Sequence, residues 1–226
     1  MIMEEEKEGY IVVTPGTLLA TSEKSGEGSY ILNRKTYSKY FGVLKKVGYK
    51  ISVIPFKQSY KPKKGEIIIG KIVEFNYPFF IVNIESPYPG YLFLGDISTY
   101  PIKQEQLMKI YKPGTWIYSK VLEITDKIKL SMKFRESRIL RNGRIAYITP
   151  SKVPRVIGRG GSMIEMIQRK TKCTVLIGQN GVIWINGNKT ELVLKIIQKI
   201  DKEAHISGLT DRISKLIDEE LKNGRN

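Results

Sequence analysis

Val156-Ile157-Gly158-Arg159-Gly160-Gly161-Ser162-Met163-Ile164 decides how the last third of this chain folds. Gly158 and Gly161, with two residues between them, let two helices meet at a sharp angle with no Cβ in the way. Peptide groups exposed at such a turn can receive a sugar-phosphate backbone directly. Met163, Ile164 and Ile167 follow at helical spacing, so a helix starts at Ser162, a residue type suited to the N-cap. The pattern is not the dinucleotide fingerprint, because Gly-x-Gly-x-x-Gly is incomplete. It is not the phosphate loop of nucleotidases, because no Gly-Lys-Ser/Thr follows.

The flanks supply the context. Arg144–Ile148 reads as a strand, Pro150-Ser151 opens a short helix through Ile157, and a second helix runs from Ser162 to Thr171. Thr174–Ile177 and Val182–Asn186 read as a hairpin joined through Gln179-Asn180-Gly181, with Asn-Gly as the hairpin signal. Asn188 caps a helix to Ala204 with Leu192, Ile196, Ile197 and Ile200 on one face. In this β-α-α-β-β-α order the loop resembles the GXXG loop of the KH domain. That resemblance implies a clamp on about four nucleotides of single-stranded nucleic acid. After Gly208 comes an amphipathic helix, apolar at Leu209, Ile213, Leu216, Ile217 and Leu221, ended by Asn223-Gly224 and expected to pack on the same unit.

Upstream, strands succeed each other in about 70 residues. Gly65–Val73 is β-branched and broken by Gly70; Tyr77–Ile84, Gly90–Ile97, Thr115–Ile124 and Ile128–Lys133 follow. Five such strands fit a small closed barrel. Gly65, Gly70, Tyr77–Ile84, Gly90–Ile97, Lys112-Pro113-Gly114 and Leu130–Lys133 resemble the S-one RNA-binding domain, an OB-type barrel. The likeness departs at Pro78-Phe79, where a small residue is common, and at Phe93, where histidine is common. Both departures keep an aromatic ring. If Val82, Ile84, Leu92 and Leu94 point inward, then Tyr77, Phe79, Ile81, Asn83, Tyr91 and Phe93 point outward. Outward rings are stacking platforms for bases. Lys71 and Lys120 are expected to flank them and meet phosphates.

Residues 1–64 carry shorter strands, Tyr10–Val13, Ser29–Leu32, Tyr40–Leu44 and Lys50–Pro55, with Pro and Gly turns between. Lys57–Lys64 is read as the exit from this module. Arg135, Arg138, Arg141 and Arg144 form a basic connector, helical or extended, between barrel and KH-like unit.

Charge agrees with a polyanionic partner. The 226 residues hold 38 Lys+Arg against 22 Asp+Glu, net +16, split +6, +2 and +8 over residues 1–64, 65–135 and 136–226. One cysteine, Cys173, excludes an internal disulfide, and one histidine, His205, excludes a histidine-rich metal site. No apolar run approaches 18 residues, and the acidic N-terminus lacks a signal pattern, so a cytoplasmic protein is expected. No His-Glu-x-x-His, cysteine pair, Gly-x-Ser-x-Gly or carboxylate cluster occurs, which argues against an enzyme and against a cofactor or metal.

The fold expected is therefore multidomain: a β-rich domain over 1–64, a five-stranded OB-type barrel over 65–135, a linker and βααββα domain over 136–208, and a C-terminal helix over 209–226. This order resembles the RNA-binding cap subunit of the archaeal exosome, in its KH-carrying form. Val13–Leu18 and Gly26–Tyr30 look like that family's opening. The resemblance implies three caps, alone or mixed with another cap subunit, on a hexameric ring of RNase PH-like subunits. It also implies that the cap guides single-stranded RNA, A-rich strands among it, to 3′-5′ degradation without cutting it. RNA-binding residues expected are Lys71, Phe79, Phe93, Lys120, Arg155, Gly158, Arg159, Gly160 and Gly161. The alternative is a translation- or transcription-associated RNA-binding protein.

Overall fold

β-Branched residues alternating with polar ones build four sheets in the computed structural model, which describes residues 11–22, 24–55, 60–100, 103–204, 206 and 208–223. The acidic N-terminus, Tyr10, Lys57, His205 and Gly224 lie outside the described residues. The chain divides between residues 58 and 59 into two compact units.

The first unit has two three-stranded sheets. β1 (Val12–Val13), β5 (Gly42–Val47) and β6 (Lys50–Pro55) form one in the order β1-β5-β6; β2 (Leu18–Ala20), β3 (Ser29–Leu32) and β4 (Lys35–Ser38) form the other, ordered β2-β4-β3. Two of the six strands, β2 and β4, are additions to the sequence reading. β4 is polar, and it is held by hydroxyls: Thr36, fully buried, donates to Ser22 O at 2.7 Å and accepts from Lys24 N at 2.9 Å. Gly28 permits a close approach, since a Cβ there would come within 2.2 Å of Val53 O.

The second unit opens with the barrel. β7 (Ile67–Asn76), β8 (Phe79–Asn83) and β9 (Gly90–Phe93) make an antiparallel meander. A short helix α1 (Gln104–Ile110) leads to β10 (Trp116–Ile124) and β11 (Ile128–Ser131). β11 pairs parallel with β9 and antiparallel with β10, and β10 pairs with β7, which closes five strands in the OB manner. The interior holds Ile68, Ile72, Phe80, Val82, Leu92, Ile117, Val121 and Leu130. A Cβ on Gly70 would come 2.5 Å from Val82 Cγ1, so glycine lets β7 coil here. Three expectations change. Leu94 sits half-buried in a 3₁₀ turn and not on a strand. Tyr60, read as linker, is buried in the barrel core. The basic connector is extended and contains a sixth strand, β12 (Arg138–Leu140), paired with β10 through Trp116↔Leu140. The helical option is thereby removed, because β10 offers a free edge.

The KH order follows: β13 (Arg144–Tyr147), α2 (Val153–Ile157), α3 (Ser162–Thr171), β14 (Thr174–Ile177), β15 (Val182–Asn186) and α4 (Thr190–Glu203), then α5 (Leu209–Asn223). The sheet runs β13-β15-β14. Its alternation is two-sided. Ile183 and Ile185 join the helices' core with Val156, Ile167, Ile196 and Ile213. Val182 and Trp184 pack the other way, on barrel residues Ile69 and Trp116 and on Leu140 of β12. Leu209, Ile213 and Ile217 place α5 on its own KH unit, as the periodicity predicts.

Three helix starts differ in detail from the sequence expectation. Gly161, left-handed, takes the N-cap of α3, and Ser162 is the first helical residue with no capping bond. A 3₁₀ turn over Pro150–Lys152 precedes α2. Lys189, not the exposed Asn188, flanks α4. The β14–β15 hairpin forms through Gln179-Asn180-Gly181, as the sequence predicts: Gly181 N bonds Gly178 O, and Gly181 is left-handed while Asn180 is not. A two-residue Asn-Gly turn needs positive φ at both positions; this longer turn needs it at Gly181 alone. Asn180 instead turns inward, 2% exposed. Its Nδ2 donates to Ile69 O at 2.7 Å and Ile84 O at 3.0 Å, and its Oδ1 accepts from Ile69 N at 3.3 Å. Gln179 N donates to Ile67 O at 2.8 Å beside it. This turn is sewn onto the barrel like an added strand end.

Candidate nucleic-acid interface

The first surface is the outer face of β8, β9 and β11. Phe79 stands opposite Phe93, and Ile81 opposite Tyr91. With Val82 and Leu92 buried inside, period-two alternation leaves Phe79, Tyr91 and Phe93 outward and half-buried. Their rings contact edge to face, with centroids 5.2 Å apart for Phe79–Tyr91 and 5.3 Å for Phe79–Phe93. Lys127 Nζ lies 5.1 Å from the Phe79 centroid and 5.3 Å from that of Tyr91; Lys129 Nζ lies 5.4 Å from that of Phe93. Cations over rings at this exposure contribute about 0.5–1 kcal/mol each. Apolar π-faces with ammonium groups beside them suit stacked bases with nearby phosphates.

Lys71 and Lys120 lie elsewhere. Lys71 pairs in register with Asn83, four residues along β8 from Phe79 and so about 13 Å away. Its Nζ sits 5.8 Å from the Trp116 ring. Lys120, exposed, stands opposite Ile67 and Ser131. Both lysines are on β7 and β10, away from the stacked rings. The cations beside the rings are Lys127 and Lys129, absent from the sequence reading. Lys129 was accessible to it: Ile128 and Leu130 point inward, so the residue between them points out.

The second surface surrounds the glycine loop. Gly158 has φ +78° and a Cβ there would come 2.6 Å from Met163 N, so the approach of α2 to α3 depends on glycine. Gly160 (φ +60°) and Gly161 (φ +87°) complete the turn, and the space at Gly160 is open. Arg155, in the last turn of α2, and Arg159, on the turn, are exposed, and among the described residues neither forms an ion pair. The structure thus brings Arg155, Gly158, Arg159, Gly160 and Gly161 together at one helix junction.

A cleft of about 750 Å3 lies beside this loop. Ile157, Ile164 and Gln168 of the helices and Val175–Ile177 of β14 line one side; Lys64–Ile67 and Tyr118 of the barrel line the other. Gln168 Oε1 accepts from Val175 N at 3.0 Å, which ties α3 to the edge strand. Burial, and then the Glu136 carboxylate, push the Tyr118 phenol up, so it is a neutral hydroxyl at physiological pH. Changing Arg159 and Gly160 together to Asp should weaken RNA binding about tenfold, because two carboxylates replace one cation where phosphate approaches. A filter-binding titration with unchanged affinity would remove the loop from the RNA path.

An OB-type barrel joined to a KH domain is the build of a modular single-strand RNA-binding protein. Residues 142–191 match the KH domain family, and residues 11–57 match the family described as the exosome RNA binding protein RRP4 N-terminal domain. The exosome complex component Rrp4 of Methanothermus fervidus is 42% identical over 211 residues, covering 91% of this chain and 94% of that protein. The Pyrococcus abyssi protein of the same name is 40% identical over 216 residues, covering 91% and 82%. A solved structure of a protein assigned as an exosome complex RNA-binding protein is 32% identical, with a TM-score of 0.66, over 75% of this chain and 100% of that one. The chain belongs to the Rrp4 family of exosome complex components.

Among the described residues, no group of three or more His, Cys, Asp or Glu side chains could hold a metal, and no helix is long and apolar enough to cross a membrane.

Proposed function

We propose that this protein is a non-catalytic RNA-binding cap of the exosome, acting in the cytoplasm. Three copies, alone or mixed with another cap subunit, sit on a hexameric ring of RNase PH-like subunits. They guide single-stranded RNA, A-rich strands among them, to 3′-5′ degradation inside the ring. Residues 1–64 anchor the cap, 65–135 and 136–208 grip RNA through barrel and KH domain, and 209–226 brace the KH unit.

One observation carries the RNA-binding part: three outward rings on the barrel, with Lys127 and Lys129 over them. Membership of the Rrp4 family supports the exosome. Anchoring is supported by apolar residues on the small first unit, where Leu18, Ile31 and Leu32 are 46%, 47% and 54% exposed. A unit of this size gains by covering such residues with a partner.

The test is a titration of the purified chain with single-stranded RNA at several salt concentrations. If Lys127, Lys129, Arg155 and Arg159 each neutralise one phosphate, log K falls against log salt with a slope of about −3. The RNA stays full-length with magnesium and inorganic phosphate present. A slope near zero would contradict the phosphate contacts, and shortened RNA would contradict the non-catalytic assignment.

A further inference from the structure

Where the β8–β9 loop meets the β10–β11 turn, the barrel holds a second recess of about 480 Å3. Buried Tyr60 and Ile128 line it together with Tyr88, which is 71% exposed. Its wall is stiff. Ser86 Oγ donates to Tyr88 O at 3.0 Å and accepts from Tyr88 N at 3.2 Å, and prolines 87 and 89 fix φ on both sides of the ring. Its lining is apolar with few ionic groups: Lys61, Asp126 and Lys127. This mix matches sites for flat, partly polar ligands.

The recess is continuous with the stacking surface. Tyr91 and Lys127 line it and also belong to the row of rings, since Lys127 Nζ stands 5.3 Å from Tyr91 and 5.1 Å from Phe79. A strand lying over Phe93 and Phe79 therefore reaches Tyr91 at the mouth of the recess.

We propose that the recess takes one unstacked base of that RNA strand, a base whose exocyclic amino group donates to Asp126. The inference rests on the RNA-binding assignment above. Tyr88 supplies a π-face. Lys61 and Lys127 meet the phosphates flanking the base. Asp126 is acceptor-only when ionised, and the Thr125 hydroxyl, donating at 2.9 Å, holds its carboxyl below the usual range. Cytosine offers it an N4 amino group. Uracil, of the same size, presents a carbonyl oxygen there and is repelled. A proline-flanked tyrosine pocket also suits a polyproline segment. Continuity with the cation-backed rings favours RNA.

The test uses the full chain and fluorescence anisotropy with ten-nucleotide oligocytidylate and oligouridylate. The parent protein binds the cytidine oligomer about tenfold more tightly, as one bond to a charged acceptor provides. Asp126→Ala lowers cytidine binding to the uridine level, and Tyr88→Ala weakens cytidine binding about tenfold. Phe79→Ala weakens both oligomers alike. If Phe79→Ala weakens both while Tyr88→Ala and Asp126→Ala leave affinity and preference unchanged, the pocket is overturned and RNA binding on the rings stands. If no variant changes anything, RNA binding on this face fails, and the pocket with it. Tyr88-dependent binding of a proline-rich peptide, with RNA affinity unmoved, would assign the recess to a protein and overturn the proposal.

Discussion

Replacing Asn180 by alanine is expected to lower the unfolding free energy of the barrel–KH unit by about 3 kcal/mol. The side chain is 2% exposed and makes three bonds to the barrel backbone, two to Ile69 and one to Ile84. Alanine leaves one N–H and two carbonyls without these partners, and an unpaired buried group costs on the order of 1–3 kcal/mol. Water entering the vacated space recovers part of that loss, so the expectation lies near the lower end of the sum. The surrounding apolar contact of Ile69, Leu140, Val182 and Trp184 remains, so the domains stay attached but the joint loosens. Asn188→Ala is the matched control. Asn188 is exposed and does not cap α4, and its change is expected within about 0.5 kcal/mol. Urea unfolding followed by tryptophan fluorescence reads both variants, since Trp116 and Trp184 lie in that joint. Equal midpoints for the two would show that Asn180 does not tie the modules.

The double variant Phe79→Ala, Phe93→Ala should weaken single-stranded RNA binding by at least about 30-fold, because each stacked base contributes roughly 1–3 kcal/mol. The rings touch each other and carry Lys127 and Lys129 above them, so alanine removes the π-faces and also releases the lysines from a fixed position. Folding is expected to persist. Both residues point away from the interior, where Phe80 and Leu92 are fully buried. Anisotropy titration against a ten-nucleotide RNA measures the loss, and circular dichroism confirms the barrel. Retained affinity in a folded double variant would make the rings a protein-facing surface.

Where apolar side chains carry an element, its sequence announces it. β7, β8, β10 and β15 alternate or run β-branched, and their ranges in the structure lie within a few residues of the pattern. The α3 helix starts at the residue the glycine spacing indicates. β4 was illegible because its interior is Thr36 and Ser38, both fully buried and bonded through their hydroxyls. α1 buries a single residue, Leu107, too few to make a periodic face. β12 exists because β10 has an edge to receive it, which is a property of the tertiary fold.

The candidate site divides in the same way. Phe79 and Phe93 follow from parity along a strand. The five residues of the glycine loop follow from local spacing. Outward direction alone groups Lys71 and Lys120 with the rings, and direction does not say which side of a closed barrel a residue occupies. Strand order does: β8, β9 and β11 are neighbours, which brings Lys129 beside Tyr91 in register. Asn180, with its partners over a hundred residues away for Ile69, reads locally as a turn residue, and only the packed pair of domains shows its bonds.

The most direct test of the exosome assignment is affinity capture of the tagged full chain from an extract of its source cells, with the retained proteins identified by mass spectrometry. RNase PH-like ring subunits are expected to co-purify in stoichiometric amount. Recovery of ribosomes or RNA polymerase, with no RNase PH-like subunit, would contradict the assignment.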